Sequence, residues 1–171
     1  MNFNFIIAQI FGVLVFIAGI LSYYKNDTKE VIIFNGLSNT LCGIQYLFLG
    51  AYTGALCCFI ATARNIVFSR FKKDIPVFYL ILFIVILLLT NFKLVNSVID
   101  VIPIINVFIY TIALWTKDIF SIKKISLIAC IDGVVFNLYK GAYIGVVYEI
   151  VFASAVVKSY KELRKAEKKL K

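Results

Sequence analysis

A chain of 171 residues that is 62% hydrophobic and only 16% charged carries more apolar surface than an interior of this size can hide, so lipid is the expected partner. The net charge of +9 suggests nucleic acid, but the bases fall between apolar runs and at the C-terminus rather than on one solvated face, so no nucleic-acid partner is expected. Histidine is absent, which excludes His-based acid–base catalysis, His-containing triads and most zinc sites; no cofactor or metal site is expected.

Bridging a bilayer core takes roughly 20 apolar residues. Polar breaks divide the chain into seven runs of about that length, near 5–24, 31–50, 52–70, 76–92, 97–115, 124–140 and 142–160. The first run has no basic leader and no small-residue cleavage site, so it reads as a retained helix rather than a signal peptide. Runs two and three are separated only by the Gly50 turn, and runs six and seven only by the Gly141 turn. The fourth run, PVFYLILFIVILLLTNF, is apolar on every side and is expected to line nothing polar. The tail KSYKELRKAEKKLK is expected to continue the last helix. It could meet anionic headgroups or simply follow the charge rule for cytoplasmic segments.

Orientation follows from Lys and Arg in short loops. One side collects Lys25 and Lys29, then Arg70, Lys72 and Lys73, then Lys117, Lys123 and Lys124, and finally Lys158, Lys161, Arg164, Lys165, Lys168, Lys169 and Lys171. The other side has only Lys93 and Lys140. The bias holds through all seven crossings. It predicts an external N-terminus and a cytoplasmic C-terminus in a multi-pass protein of the bacterial inner membrane.

The segment Leu47-Phe48-Leu49-Gly50-Ala51-Tyr52-Thr53-Gly54 matches Leu138-Tyr139-Lys140-Gly141-Ala142-Tyr143-Ile144-Gly145 at an offset of 91 residues. Each glycine-rich turn joins the second and third helix of a half, where a backbone position with positive φ is needed. Gly54 and Gly145 recur one turn later, a spacing that lets helices approach closely in lipid. The division that follows is a first three-helix repeat (1–73), a linker helix (74–95), a second repeat (96–160) and a basic tail (161–171). With one linker crossing the two repeats are parallel, and a solute pathway is expected between them. The fold class is therefore an all-α membrane protein of about seven transmembrane helices in a three-one-three arrangement.

Ionisable groups within the runs cost roughly 2.5–3.5 kcal/mol each on insertion scales and are functional candidates. They are Arg64, Asp100, Asp132 and Glu149, with Lys140 near an outer end. Gln9, Asn39, Gln45, Asn65, Asn106 and Asn137 add uncharged polar groups. At 1.5 Å per residue, Arg64 and Asp132 lie at about the same depth from the cytoplasmic end. An inner pair Arg64–Asp132 is therefore expected, as a structural lock or a solute site. An outer cluster of Glu149 with Asp100 or Lys140 is expected too. Glu149 is either a packed, hydrogen-bonded carboxyl or a proton or cation site. Pro103 is expected to kink the fifth helix, as a hinge or as a tolerated break. The four cysteines, Cys42, Cys57, Cys58 and Cys130, form no CxxC pair and read as small buried hydrophobes. No nucleotide-loop, zinc-protease or nucleophile-elbow motif is present, so no enzyme is expected.

Several of these segments resemble the YgjV family of bacterial inner-membrane proteins: Gln9 to Gly12, Leu49-Gly50-Ala51-Tyr52 with Ala63-Arg64, Pro103, and Asn137 through Gly141 on to Glu149. The resemblance covers nearly the whole chain and implies no particular activity. More distantly, each half is similar to the three-helix unit of SWEET and SemiSWEET sugar transporters and of PnuC vitamin-precursor transporters. The Pro-Gln pair of the PQ-loop branch is absent, and the single Trp115 does not supply PnuC-type aromatic recognition. Sugar or riboside specificity is therefore not implied.

Two functions remain open at this point. A small-solute transporter or facilitator requires a polar cavity between the halves, lined by some of Arg64, Asn65, Asp132, Asn137 and Glu149, with Gln9 and Asn106 as further candidates. Gly50, Gly54, Gly141, Gly145 and Pro103 would supply its turns and hinges. A structural or accessory membrane protein requires the same groups to be paired off with no cavity. A homodimer is compatible with both.

Overall fold

The computed structural model describes residues 3–24, 28–71, 74–116 and 119–170. Lys25, Lys72, Lys73, Lys117 and Lys171 lie outside these residues, as do the side chains of Lys29, Lys168 and Lys169. Among the described residues the chain forms seven α-helices and no strand. They are α1 (Phe3–Tyr24), α2 (Thr28–Phe48), α3 (Tyr52–Ser69), α4 (Val77–Asn91), α5 (Val101–Thr116), α6 (Ile119–Lys140) and α7 (Tyr143–Leu170), with a 3-10 turn at Val98–Asp100 leading into α5.

Helix ends follow the chemistry of the breaks. At Gly50 φ is +69° and at Gly141 it is +75°, the left-handed region that glycine enters without a Cβ penalty. The two turns are built alike. The N–H of Ala51 donates to the Tyr46 carbonyl and that of Ala142 to the Asn137 carbonyl, both at 2.9 Å. Gly50 N–H bonds to Leu47 O and Gly141 N–H to Leu138 O, which completes a Schellman-type stop in each half. Helix α7 continues unbroken to Leu170, so the basic tail extends it.

Consecutive helices pack in order within each half: α1 on α2 and α2 on α3, then α5 on α6 and α6 on α7. Across the halves α1 packs on α7 and α3 on α5. The six helices therefore close into a ring, and α4 lies against its α3–α5 side. Phe83 and Leu87 of α4 bury themselves with Cys57, Ile60, Phe68 and Ile75, while Phe78, Ile81 and Leu89 face outward.

Apolar side chains cover the outer surface. Ile10, Ile17, Leu37, Ile66, Ile131 and Ile150 are exposed on successive helices, and Phe92 and Val98 are exposed by more than 80% of their surface (83% and 85%). Water would not tolerate such a surface on a monomer, whereas lipid does. Among the described residues three helical segments are long and apolar enough to cross a membrane by length and composition: Phe3–Leu21, Val98–Thr116 and Tyr143–Lys161. Helix α4, at 15 residues, is apolar but shorter. The remaining helices fall short of the seven runs read from the sequence because their polar residues are interior. Ser38 and Gln45 of α2, Arg64 and Asn65 of α3, and Ser126 and Asn137 of α6 are all buried.

Candidate functional site

A cavity of about 190 Å³ lies among the six helices of the ring. Its wall takes side chains from α1, α2, α3, α5, α6 and α7 and none from α4. Five of the seven pathway candidates line it: Arg64, Asn106, Asp132, Asn137 and Glu149. Pro103, Gly54 and Gly145 line it as well.

Arg64 lies well inside α3 and is 2% exposed. Its Nε and Nη2 donate to Asn65 Oδ1 at 3.3 and 3.0 Å. Nη1 donates to Thr111 Oγ1 at 2.9 Å and to the Val107 carbonyl at 3.4 Å. The Tyr110 ring faces the guanidinium with its centroid 5.5 Å away, a cation–π contact. Asn65 does not line the cavity; its role is to hold Arg64. The expected ion pair between Arg64 and Asp132 does not form. Helix α6 begins at Ile119, five residues before the predicted run, so Asp132 stands about 20 Å from that helix end and not about 12 Å. Arg64 is meanwhile turned toward α5.

Glu149 does not join an outer cluster either. Its carboxyl packs over Gly133, where an added Cβ would lie 2.7 Å from Glu149 Cδ. Cys130 stands within side-chain hydrogen-bond reach of it. Of the groups expected in that cluster, Lys140 and Asp100 do pair, with Nζ to Oδ1 at 2.8 Å. Asp100 also accepts from the backbone N–H of Asn96 and Ser97 and from the Ser97 hydroxyl, capping the start of the fifth span.

Gln9 lies outside the cavity. Its Nε2 donates to the Gly141 carbonyl at 3.0 Å, and its Oε1 accepts from Ile144 N–H at 3.4 Å, which ties α1 to the α6–α7 turn. Asn106 lines the cavity but spends Nδ2 on the Ala129 carbonyl, 3.2 Å away on α6. Pro103 stands in the first turn of α5, where a missing N–H breaks no intrahelical bond. The irregularity of this span is the 3-10-to-α junction just ahead of Pro103, not a mid-helix kink.

At the end of the cavity nearest the two glycine turns, Tyr46 and Phe136 meet edge to face with centroids 5.3 Å apart. The Tyr46 hydroxyl donates to Asn137 Oδ1 at 2.6 Å. Gly54 makes room for this contact, since a Cβ there would lie 2.7 Å from the Phe136 ring. Gly145 does the same for Asn137 at 2.9 Å. Gln45 is 1% exposed and lines the cavity, and its Nε2 has no hydrogen-bond partner among the described residues.

Sequence reasoning passed over Tyr46, Tyr110 and Thr111, and it read the cysteines as inert filler. All four of the chain's cysteines line the cavity, and the structure has each as a free thiol. The 91-residue offset could have found Tyr46, because it sets Tyr46 and Asn137 in the same slot of the two halves.

A closed ring of helices, apolar outside and polar at its centre, defines a multi-helix membrane protein. The Imp-YgjV family of bacterial inner membrane proteins matches residues 6–167, and the chain belongs to that family. It is therefore a protein of the bacterial inner membrane. No curated protein and no solved structure matches it.

Proposed function

We propose that this chain is a small-solute transporter or facilitator whose pathway runs between two parallel three-helix halves. In this reading all seven helices cross the bilayer, α4 is the linker, the N-terminus is external and the basic C-terminal end of α7 is cytoplasmic. One observation carries the reading: between α1–α3 and α5–α7 lies a cavity of about 190 Å³ whose wall, though largely apolar, carries Arg64, Asn106, Asp132, Asn137 and Glu149. A protein that needed only to hold its helices together would gain nothing from such a space, since buried polar groups without partners are costly. The matching α1–α7 and α3–α5 contacts across the halves also suit a parallel repeat.

The accessory-protein reading draws on the groups already spent on helix–helix bonds, Gln9, Asn106 and the Asp100–Lys140 pair. Arg64 also bonds across helices, to Thr111 and Val107 of α5, and Glu149 lies within reach of Cys130 on α6, but neither is paired with an opposite charge among the described residues.

The native thiols supply the test. Because Cys42, Cys57, Cys58 and Cys130 all line the cavity, a water-borne thiosulfonate reagent labels the native chain in membranes only if water reaches it. Labelling that disappears when all four are replaced by alanine is the expected result. A native chain that stays unlabelled until denatured would sink the pathway and favour the accessory reading.

A further inference from the structure

The cavity wall carries a guanidinium and carboxyl groups that are not paired with one another. Every partner of Arg64 is neutral: the Asn65 amide oxygen, the Thr111 hydroxyl, the Val107 carbonyl and the Tyr110 ring. A guanidinium is always ionised and its planar fork matches a carboxylate. Here it is buried with no acidic partner among the described residues, on the wall of a cavity. Burial of an uncompensated cation is strongly unfavourable unless an anion completes it.

The complement lies elsewhere on the same wall. Glu149 of α7 sits over Gly133, in space that any side chain at that position would fill. No basic residue pairs with it among the described residues, and Lys140, a candidate by depth, is taken by Asp100. Gln45 adds a separate sign. Its Nε2, buried against Gly12 of α1, has no acceptor among the described residues, which is rare for a buried donor.

A guanidinium and two carboxyl groups, those of Glu149 and Asp132, around one small space call for a solute that carries both charges. We infer that the cavity binds a small zwitterion of the amino-acid type, its carboxylate on Arg64 and its ammonium on Glu149. This rests on the pathway reading above and narrows it to a substrate class. A neutral sugar would leave both charges unmatched. A simple anion would leave Glu149 unmatched, and a simple amine would leave Arg64 unmatched.

The experiment is thermal unfolding of the purified full chain in detergent at neutral pH. The panel is glycine, alanine, β-alanine and γ-aminobutyrate, beside acetate, propionate, ethylamine, propylamine and glucose. A ligand that binds the folded state raises the melting temperature by mass action. At least one zwitterion should raise it, with apparent affinity at least about tenfold above its single-charge relatives. The variants Arg64→Lys and Glu149→Gln, which keep side-chain size, should each lose about tenfold or more of that affinity while eluting as folded protein. Equal shifts from acetate, ethylamine or glucose would overturn the inference. So would an unchanged zwitterion shift in both variants. If no zwitterion shifts a protein whose thiols label from water, the substrate class is wrong and the pathway stands. If the thiols do not label, the pathway itself falls.

Discussion

The Tyr46 hydroxyl and Asn137 Oδ1 are hydrogen-bonded at 2.6 Å, and the two positions are separated by 91 residues, the same offset that superimposes the Gly-Ala-Tyr turns. In the parallel-repeat reading proposed above, a residue that touches its own counterpart lies where the two halves meet. Tyr46, Asn137 and Phe136 all line the cavity, with the Phe136 ring edge to face on Tyr46. The contact should act both as a stabiliser and as a seal.

Replacing Tyr46 by Phe keeps the ring contact and removes the hydroxyl, leaving Asn137 Oδ1 buried without its donor. The expected loss is about 1–3 kcal/mol, read as a lower melting temperature. Thiol labelling of the cavity should become faster. Unchanged labelling would mean that this contact seals nothing.

The glycines should separate into two kinds. At Gly50 an added Cβ meets nothing within 4 Å, but φ is +69°. Gly50→Ala should therefore cost about 1–2 kcal/mol through backbone strain, and Gly50→Asn less. At Gly54 the backbone is helical, but a Cβ would lie 2.7 Å from Phe136. Gly54→Ala should cost about 1–3 kcal/mol through overpacking, and shortening the neighbour in Gly54→Ala/Phe136→Leu should recover part of it. Thermal unfolding of the four variants checks the division.

Arg64 should show a conflict between stability and binding. Arg64→Met removes an unpaired buried charge and fills similar space, so stability should change by no more than about 1 kcal/mol in either direction. Ligand binding should be lost. Had Arg64 been locked to Asp132, the same change would strand the carboxylate and cost about 3–5 kcal/mol. Chemical or thermal unfolding distinguishes the two.

The Asp100–Lys140 pair should prove unequal in its two members. Lys140→Met removes one partly exposed ion-pair contact and should cost less than about 1 kcal/mol. Asp100→Ala also removes the acceptor for Asn96, Ser97 N–H and the Ser97 hydroxyl, and should cost about 1–2 kcal/mol. The order of melting temperatures tests this.

Apolar run length was a good guide to the helices, because each run is broken by charge or glycine at its ends. It failed at α6, where Lys123 and Lys124 suggested a loop. Lys123 instead sits within the helix and donates to Ser159 on α7. The error carried forward: depth counted from Lys124 set Asp132 level with Arg64. Depth also fixes only height along a helix and not the direction in which a side chain points. Arg64 turns toward Thr111 and Val107, and Gln9 reaches the Gly141 turn, for reasons of azimuth that no single sequence reveals. The polar stock of the cavity was legible in Arg64, Asp132, Asn137 and Glu149, since insertion costs single out such residues. The cysteines were not, because a small apolar thiol serves equally well in packing and on a cavity wall.

The bond between Tyr46 and Asn137 joins a phenol to an amide, so the two halves are complements rather than copies at their centre. Two first halves would bring Tyr46 against Tyr46, and two second halves Asn137 against Asn137, with neither pair reproducing the donor, the acceptor and the Phe136 contact together. If the chain is cut between α4 and α5 and its pieces are made separately, they should reassemble only as one of each kind.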